Sequence, residues 1–147
     1  MRILFTLLCA APVFAQSDAV IEKAVLAADA EVTRAAEARD LDRLFSFIMD
    51  MSKGSIVQNG VLSLTPQEAK AKLQPSFRAP LKVVYRWKQQ HVTVLSPVTA
   101  LLVSEGETVV TSSDGSFTAP VVQSAIWVLR DGAWKILHAH QSSPQRQ

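Results

Sequence analysis

The sequence predicts an α+β fold, in which three N-terminal helices pack on one strongly bent antiparallel sheet. Apolar residues recur at helical spacing in the first half of the 147-residue chain, and they alternate with a period of two from Leu81 onward. The second half also contains turn signals, above all Asp131-Gly132 between two apolar runs, which is typical of a tight β-hairpin. Helical segments that precede the strands, rather than alternate with them, favour helices on one antiparallel sheet.

Residues 1–15 have the pattern of a signal peptide. Arg2 gives a positive start, a short apolar run follows, and residues 13–15 offer small side chains at the positions that a signal peptidase reads. The run is too short to cross a bilayer, which takes about 20 apolar residues. We expect cleavage before Gln16, export to the periplasm or outside the cell, and no stable membrane insertion afterwards. One domain is expected over residues 16–147.

Composition limits the possible partners. The chain has 15 Lys and Arg against 13 Asp and Glu, and it has no basic cluster with interleaved aromatic residues, so we expect no nucleic-acid partner. The single cysteine, Cys9, lies in the predicted signal peptide, which leaves the mature chain without disulfide or thiol chemistry. We expect no cofactor.

The first half of the chain predicts three helices. The first covers about residues 18–38, and a shorter one covers about residues 41–49 after a capping residue, Asp40. The third begins at Thr65-Pro66-Gln67-Glu68, a capping box with proline at the first helical position, and Pro75 is expected to end or kink it. The buried stripe of the first helix consists of Ile21, Val25, Ala28, Val32 and Ala35.

The second half predicts a meander of four long strands. A short strand near Ile56 precedes them, and they cover about residues 82–95, 98–111, 121–130 and 133–141. The apolar parity changes within the first long strand, between Trp87 and Val92, so we expect a bulge near residues 88–90. Pro120 cannot donate to a β-ladder and is expected to mark the start of its strand.

The turn at residues 131–132 pairs Arg130 with Ala133 and decides which side chains of the last two strands share a face. One face is bulky and aromatic near the turn and polar further away; it carries Gln123, Ala125, Trp127, Leu129, Trp134, Ile136, His138 and His140. The other is small and mostly aliphatic, with Val122, Ser124, Ile126, Val128, Leu137 and Ala139. Both faces are too apolar for water, and the helices can cover only one. We expect the helices to cover the aromatic face and a second copy of the chain to cover the aliphatic face, giving a homodimer.

The last strand carries a family resemblance. Residues 134–144, Trp-Lys-Ile-Leu-His-Ala-His-Gln-Ser-Ser-Pro, follow three helices and a bent meander, and together they resemble the SnoaL-like branch of the nuclear transport factor two-like superfamily. The ending is especially similar to the association domain of calcium/calmodulin-dependent kinase. The resemblance implies a dimer with a conical pocket between helices and sheet. It names no reaction, because this fold hosts isomerases, dehydratases, cyclases, transport factors and assembly domains.

The sequence departs from two members of that superfamily at positions that carry function. Residues 55–59 contain no acid where the ketosteroid isomerases of this fold place a general base. Ala125 and Gln141 stand where the kinase association domain has arginines in its pocket. Neither activity transfers directly to this chain.

Two histidines are the candidate catalytic residues. His138 and His140 lie two residues apart on one strand, and an imidazole with a pKa near neutrality suits general acid–base catalysis. Asp50, just after the second helix, could orient one of them. A metal site that adds His91 is an alternative that we do not favour, and histidines that only hydrogen-bond within the sheet are another.

Aromatic residues are the candidate pocket wall. Tyr85, Trp87, Trp127 and Trp134 combine apolar rings with a polar tip, which suits flat apolar ligands, and Gln123 adds a polar group. Ordinary core packing is the alternative for each ring.

Three functions stay open from the sequence. The first is binding of a small organic ligand without turnover. The second is a cofactor-free isomerase, dehydratase or hydrolase that uses a pocket histidine as its base. The third is a homo-oligomeric assembly domain without a ligand.

Overall fold

The computed structural model describes residues 17–50 and 55–143; the predicted signal peptide lies outside them. The helices of the described part are α1 (Asp18–Glu37), α2 (Leu41–Ser46) and α3 (Pro66–Arg78). Its strands are β1 (Ser55–Gln58), β2 (Val61–Ser63), β3 (Lys82–Ser96), β4 (Thr99–Ser112), β5 (Gly115–Arg130) and β6 (Ala133–Ser142). Within these residues no helix is both long enough and apolar enough to cross a membrane.

The strands form one six-stranded sheet in the order β2-β1-β6-β5-β4-β3, and the helices pack on one of its faces. The predicted α+β class, with N-terminal helices on a bent sheet, is confirmed. The expected short strand is the first arm of a hairpin, β1–β2, which turns at Asn59-Gly60 with both residues at positive φ. β1 runs parallel to β6, whereas every other neighbouring pair is antiparallel.

Side-chain caps begin two of the helices as predicted. The Asp40 carboxylate accepts a hydrogen bond from the Arg43 backbone N–H at 2.9 Å and starts α2. The Thr65 hydroxyl accepts from the Glu68 N–H at 3.2 Å at the start of α3, and the Glu68 side chain reaches back to the Leu64 N–H at 2.9 Å.

One helix end differs from the prediction. α2 ends at Ser46 instead of near residue 49, because the following backbone pairs with β6: the Met49 N–H donates to the Ile136 carbonyl at 2.9 Å. Of the two effects predicted for Pro75, it does not end α3, which continues to Arg78.

The long strands start and bend where pairing allows it. Between Trp87 and Gln89, Lys88 is not paired with any residue of β4, which confirms the bulge predicted in β3. Pro120 was predicted to start its strand, and this prediction is wrong: it lies inside β5. It is tolerated there because this part of β5 pairs with β4 alone, β6 reaching only as far as Val122, so one side of the strand needs no donor.

The hydrophobic core lies between α1 and the aromatic face of the sheet. Ile21 and Val25 of α1 are fully buried against Trp127, which has 0% exposure, and the prediction that the helices cover this face is confirmed. The other buried members of the cluster are Ala100, Leu102, Ala125, Trp134 and Ile136.

The prediction that both histidines share the tryptophan face is wrong. β6 contains a bulge at Leu137, so Trp127 pairs with Ile136 but Ile126 pairs with His138. Directly paired residues point to the same side, and the extra residue therefore turns His138 and His140 to the opposite face. The same bulge brings Ala139, expected on the aliphatic face, opposite Ala125 on the helix-covered side.

We call the sheet surface that faces away from the helices the outer face. It is defined by Leu101, Val103, Val122, Ser124, Ile126, Val128, His138 and His140.

Candidate functional site

A cavity of about 120 Å³ lies between the three helices and the covered face of the sheet. Its apolar lining includes Val32, Leu44, Phe45, Ile48, Leu73, Phe77 and Ile136, and polar side chains enter it from Asp29, Tyr85, Gln123 and Gln141. A cavity of about 150 Å³ holds one benzene molecule. The site is therefore sized for roughly one ring, with a small number of polar groups to orient it.

The most unusual group at this cavity is the carboxyl of Asp29 in α1, which is only 2% exposed. The Gln90 side-chain amide donates to its Oδ2 at 2.8 Å, and the Gln123 amide donates to its Oδ1 at 3.3 Å. Burial raises the pKa of Asp29 to about 6, although both amides favour the ionised form and lower it. No charged side chain contributes to that pKa among the causes that act on it.

Tyr85 of β3 is the second polar group of interest. Burial raises the pKa of its phenol, and the neighbouring Gln141 side chain lowers that pKa in part. The Tyr85 ring stacks on Trp87 with centroids 5.4 Å apart, and the Trp87 indole N–H donates to Thr33 at 3.2 Å. The Glu37 carboxylate accepts the Tyr85 backbone N–H at 2.8 Å and fixes this edge of the sheet to α1.

The predicted pocket-wall residues divide into two groups. Tyr85 and Gln123 line the cavity. Trp127 and Trp134 are buried in the core, and Trp87 lies beside Tyr85 without lining the cavity itself. A ligand-binding role for any of the five stays a prediction. Of these residues, Tyr85 and Gln123 are the ones placed to contact a ligand in the cavity.

The predicted catalytic residues do not meet in the cavity. The His138 Nδ1 is 2.7 Å from the Ser55 hydroxyl on the outer face. His140 borders the cavity, yet its pairing with Ser124 directs its side chain to the outer face and the residue is exposed. Asp50 is exposed and accepts a hydrogen bond from Gln67 of α3 at 3.0 Å. Their catalytic roles stay predictions without the shared pocket that they assumed.

The sequence analysis missed Asp29, although a signal was present. Asp29 follows Val25 by four residues and precedes Val32 by three, so it falls on the stripe that the first helix buries. An acid at such a position is exceptional, because carboxylates are rarely fully buried.

Metal ligands are not assembled in the described part of the chain. Across residues 17–50 and 55–143, no group of three or more His, Cys, Asp or Glu side chains could hold a metal ion. The polar residues that line the cavity are Asp29, Gln58, Tyr85, Gln123, Ser124, His140 and Gln141.

Comparison with known proteins places the fold in a family. The SnoaL-like domain family matches residues 25–146, and the chain belongs to it. No curated protein matches the chain.

Solved structures agree with this assignment. A proposed dehydratase of the NTF2-like family from Streptomyces avermitilis is 17% identical with a TM-score of 0.79, covering 88% of this chain and 100% of that one. A proposed scytalone dehydratase from Novosphingobium aromaticivorans is 11% identical with a TM-score of 0.77, covering 87% of each chain. A ketosteroid isomerase-like protein from Erwinia carotovora is 16% identical with a TM-score of 0.70, covering 84% of this chain and 96% of that one. At these identities the likeness shows the fold.

Proposed function

We propose that this protein binds a small, mostly apolar organic molecule in the cavity and that Asp29 exchanges a proton with it, as in a cofactor-free dehydratase or isomerase. The observation that carries the proposal is a buried carboxyl with a pKa of about 6 at an apolar cavity. A strongly perturbed acid in a cleft is a candidate for general acid–base catalysis. The names of two similar structures, a proposed dehydratase and a ketosteroid isomerase-like protein, support the same class.

The cavity supplies both groups that such a reaction needs. Ionised Asp29 accepts a proton from a C–H bond next to a ligand carbonyl, and the C–H electron pair moves toward that carbonyl. The Tyr85 phenol, which lines the cavity, donates its proton as a hydrogen bond to the carbonyl oxygen, where negative charge develops. Return of the proton to another carbon is an isomerisation. Transfer of the proton to a departing hydroxyl releases water, leaves a new double bond and restores the carboxylate.

Proton exchange on a one-ring ketone tests this proposal. We expect the protein to bind 2-cyclohexenone and to accelerate exchange of its acidic C–H protons in heavy water at pH 7, measured by NMR. Asp29→Asn should bind the ketone without accelerating exchange, because the amide cannot accept the proton, whereas Asp50→Asn, which changes an exposed carboxylate, should behave like the wild type.

The other outcomes separate the alternative functions. If His138→Ala or His140→Ala abolishes exchange and Asp29→Asn does not, a histidine is the base. Binding without exchange in the wild type favours a ligand carrier. If neither cyclohexenone, phenol nor indole changes the melting temperature or the NMR spectrum, the assembly-domain alternative is favoured.

We also propose that two copies of the chain associate through the outer face. Val103 and Val122 on this surface are 38% and 47% exposed, and Leu101, Ile126 and Val128 are half-buried beside them. An apolar surface of this kind is typical of an interface.

Export after cleavage of residues 1–15 remains part of the proposal, and mass spectrometry of the mature N-terminus would test it.

A further inference from the structure

We propose that Gln90, anchored by Ser104, is a positioning residue that holds Asp29 Oδ2 from behind the cavity and leaves Oδ1, beside Gln123, as the oxygen that exchanges a proton with the ligand. This inference rests on the proposed function and names how its carboxyl is aimed. The two oxygens of Asp29 have different surroundings.

The hydrogen bonds on the two oxygens differ in length. Gln90 Nε2 lies 2.8 Å from Oδ2, whereas Gln123 Nε2 lies 3.3 Å from Oδ1. The shorter bond is the stronger one, because a charge-assisted bond to a carboxylate is normally about 2.7–2.9 Å long. Oδ2 is therefore held firmly, and the bond on Oδ1 is the one that a ligand can replace.

The two amides also lie on different sides of Asp29. Gln123 lines the cavity, as Asp29 does, but Gln90 and Ser104 are not among the residues that line it. A ligand in the cavity can therefore contact Gln123 and Oδ1, while Gln90 supports the carboxyl from the side of the sheet.

Ser104 anchors the Gln90 amide beside the carboxyl. Ser104 is fully buried in β4, and its hydroxyl oxygen lies 3.2 Å from Gln90 Nε2. The –NH₂ group of Gln90 has two protons, and one is donated to Asp29 and the other to Ser104. A flipped amide would direct its carbonyl oxygen at the carboxylate and lose the bond to Asp29, so the carboxylate selects this orientation.

The bulge in β3 is what brings Gln90 to this position. Side chains alternate along a strand, and Trp87 faces the helices. Without the unpaired residue Lys88, Gln90 would lie on the outer face; with it, Gln90 pairs with Ser104 on the helix-covered side. The bulge at Lys88 therefore places the Gln90 amide where it can donate to the Asp29 carboxyl.

The side chains that hydrogen-bond to Asp29, directly or through Gln90, are neutral. β3 contributes Gln90, β4 contributes Ser104 and β5 contributes Gln123. Loss of a donor to the carboxylate should therefore raise the pKa of Asp29, with no opposite charge to compensate.

The test is an NMR titration of the Asp29 carboxyl carbon in the whole chain. We expect Gln90→Met, which keeps the length of the side chain but removes both donors, to raise the pKa of Asp29 by about one unit. Gln89→Met is the matched control, because Gln89 pairs with Glu105 and is exposed on the outer face, and it should leave that pKa unchanged. Ser104→Ala should raise it by less than Gln90→Met does.

A binding measurement separates the positioning residue from the residue that contacts the ligand. Gln90→Met should leave the Kd for 2-cyclohexenone within about twofold, while the rising limb of the exchange-rate pH profile moves to higher pH. Gln123→Met should weaken binding about fivefold, the loss of one hydrogen bond.

Three results would overturn the inference. One is an unchanged pKa of Asp29 in folded Gln90→Met. If that variant does not fold, an unchanged pKa in Ser104→Ala has the same meaning. The third is a Gln90→Met variant that weakens ketone binding as much as Gln123→Met. Absence of exchange in the wild type would instead refute the proposed function, and the titration would still report whether Gln90 controls the carboxyl.

Discussion

Asp29 places an ionisable carboxyl where its helix would otherwise bury an apolar side chain. Two neutral amides solvate it, but they do not replace water fully, so burial remains the largest influence on its pKa. A carboxyl that titrates near pH 6 can accept and release a proton close to neutrality, which an ordinary exposed aspartate does far less well. The same burial that suits proton transfer reduces the free energy of unfolding.

That stability cost predicts a pH-dependent effect of Asp29→Asn. Below the ordinary pKa of 3.8 the carboxyl is protonated in both folded and unfolded chains, and the variant should match the wild type. Between 3.8 and about 6 the unfolded chain loses its proton first, so wild-type stability falls as pH rises. Above pH 6 the variant should be more stable by up to about 3 kcal/mol.

Urea unfolding at pH 4, 5, 6, 7 and 8 measures this difference. Asp50→Asn is the control, because Asp50 is exposed and its replacement should shift the curve little at any pH. A constant difference between Asp29→Asn and wild type across the range would contradict the assigned pKa.

At this scale the sequence predicted part of the site. Tyr85 and Gln123 line the cavity, since their strands were assigned to the correct face before any irregularity intervened. Asp29 was missed because a single acid within an alanine-rich helix normally lies at a solvated edge of the stripe. Only the packing of β3 and β5 against α1 brings the side-chain amides of Gln90 and Gln123 within hydrogen-bond distance of Asp29.

Bulges decide the faces of the long strands at the scale of secondary-structure elements. The one in β3 was predictable from the change in apolar parity between Trp87 and Val92. β6 has an equivalent signal, because apolar residues change from even to odd positions between Ile136 and Leu137. The β1–β2 hairpin was harder to predict, since strands of three or four residues carry too little periodicity.

The β3 bulge also explains a glycine in the neighbouring strand. A Cβ atom on Gly106 would lie 2.3 Å from the Arg86 carbonyl oxygen and 2.9 Å from the Trp87 Cα, both backbone atoms of β3. Backbone in a paired strand cannot move away as a flexible side chain can. The close approach of β4 to the bulge therefore requires glycine.

We expect Gly106→Ala to destabilise the protein by more than about 2 kcal/mol, because the clash must be relieved by separating two paired strands. Gly60→Ala is the comparison: Gly60 has φ +81° but open space around its Cβ position, so only backbone strain of about 1 kcal/mol applies. Equal losses in the two variants, measured by urea unfolding, would show that steric contact with β3 is not the cause.

At the scale of the whole molecule, the two faces of the sheet have different surroundings. Its inner face, with the helices, encloses a cavity and the Asp29 carboxyl, and its outer face presents aliphatic side chains to the surroundings. The layer order was predictable, because helical and strand periodicities occupy separate halves of the chain. The content of the cavity was not, since it depends on where three helices leave space rather than on any local pattern.

The exposed apolar side chains of the outer face predict that the protein self-associates. Val122→Lys should convert a dimer to a monomer, because it places a charge in the apolar surface that two copies would bury. Val20→Lys is a matched control: Val20 is 50% exposed against 47% for Val122, but it lies on α1, which does not cover the outer face. Sedimentation velocity should give a dimer for the wild type and Val20→Lys, and a monomer with an unchanged circular dichroism spectrum for Val122→Lys. A wild-type monomer, or a dimer that survives Val122→Lys, would place any self-association elsewhere.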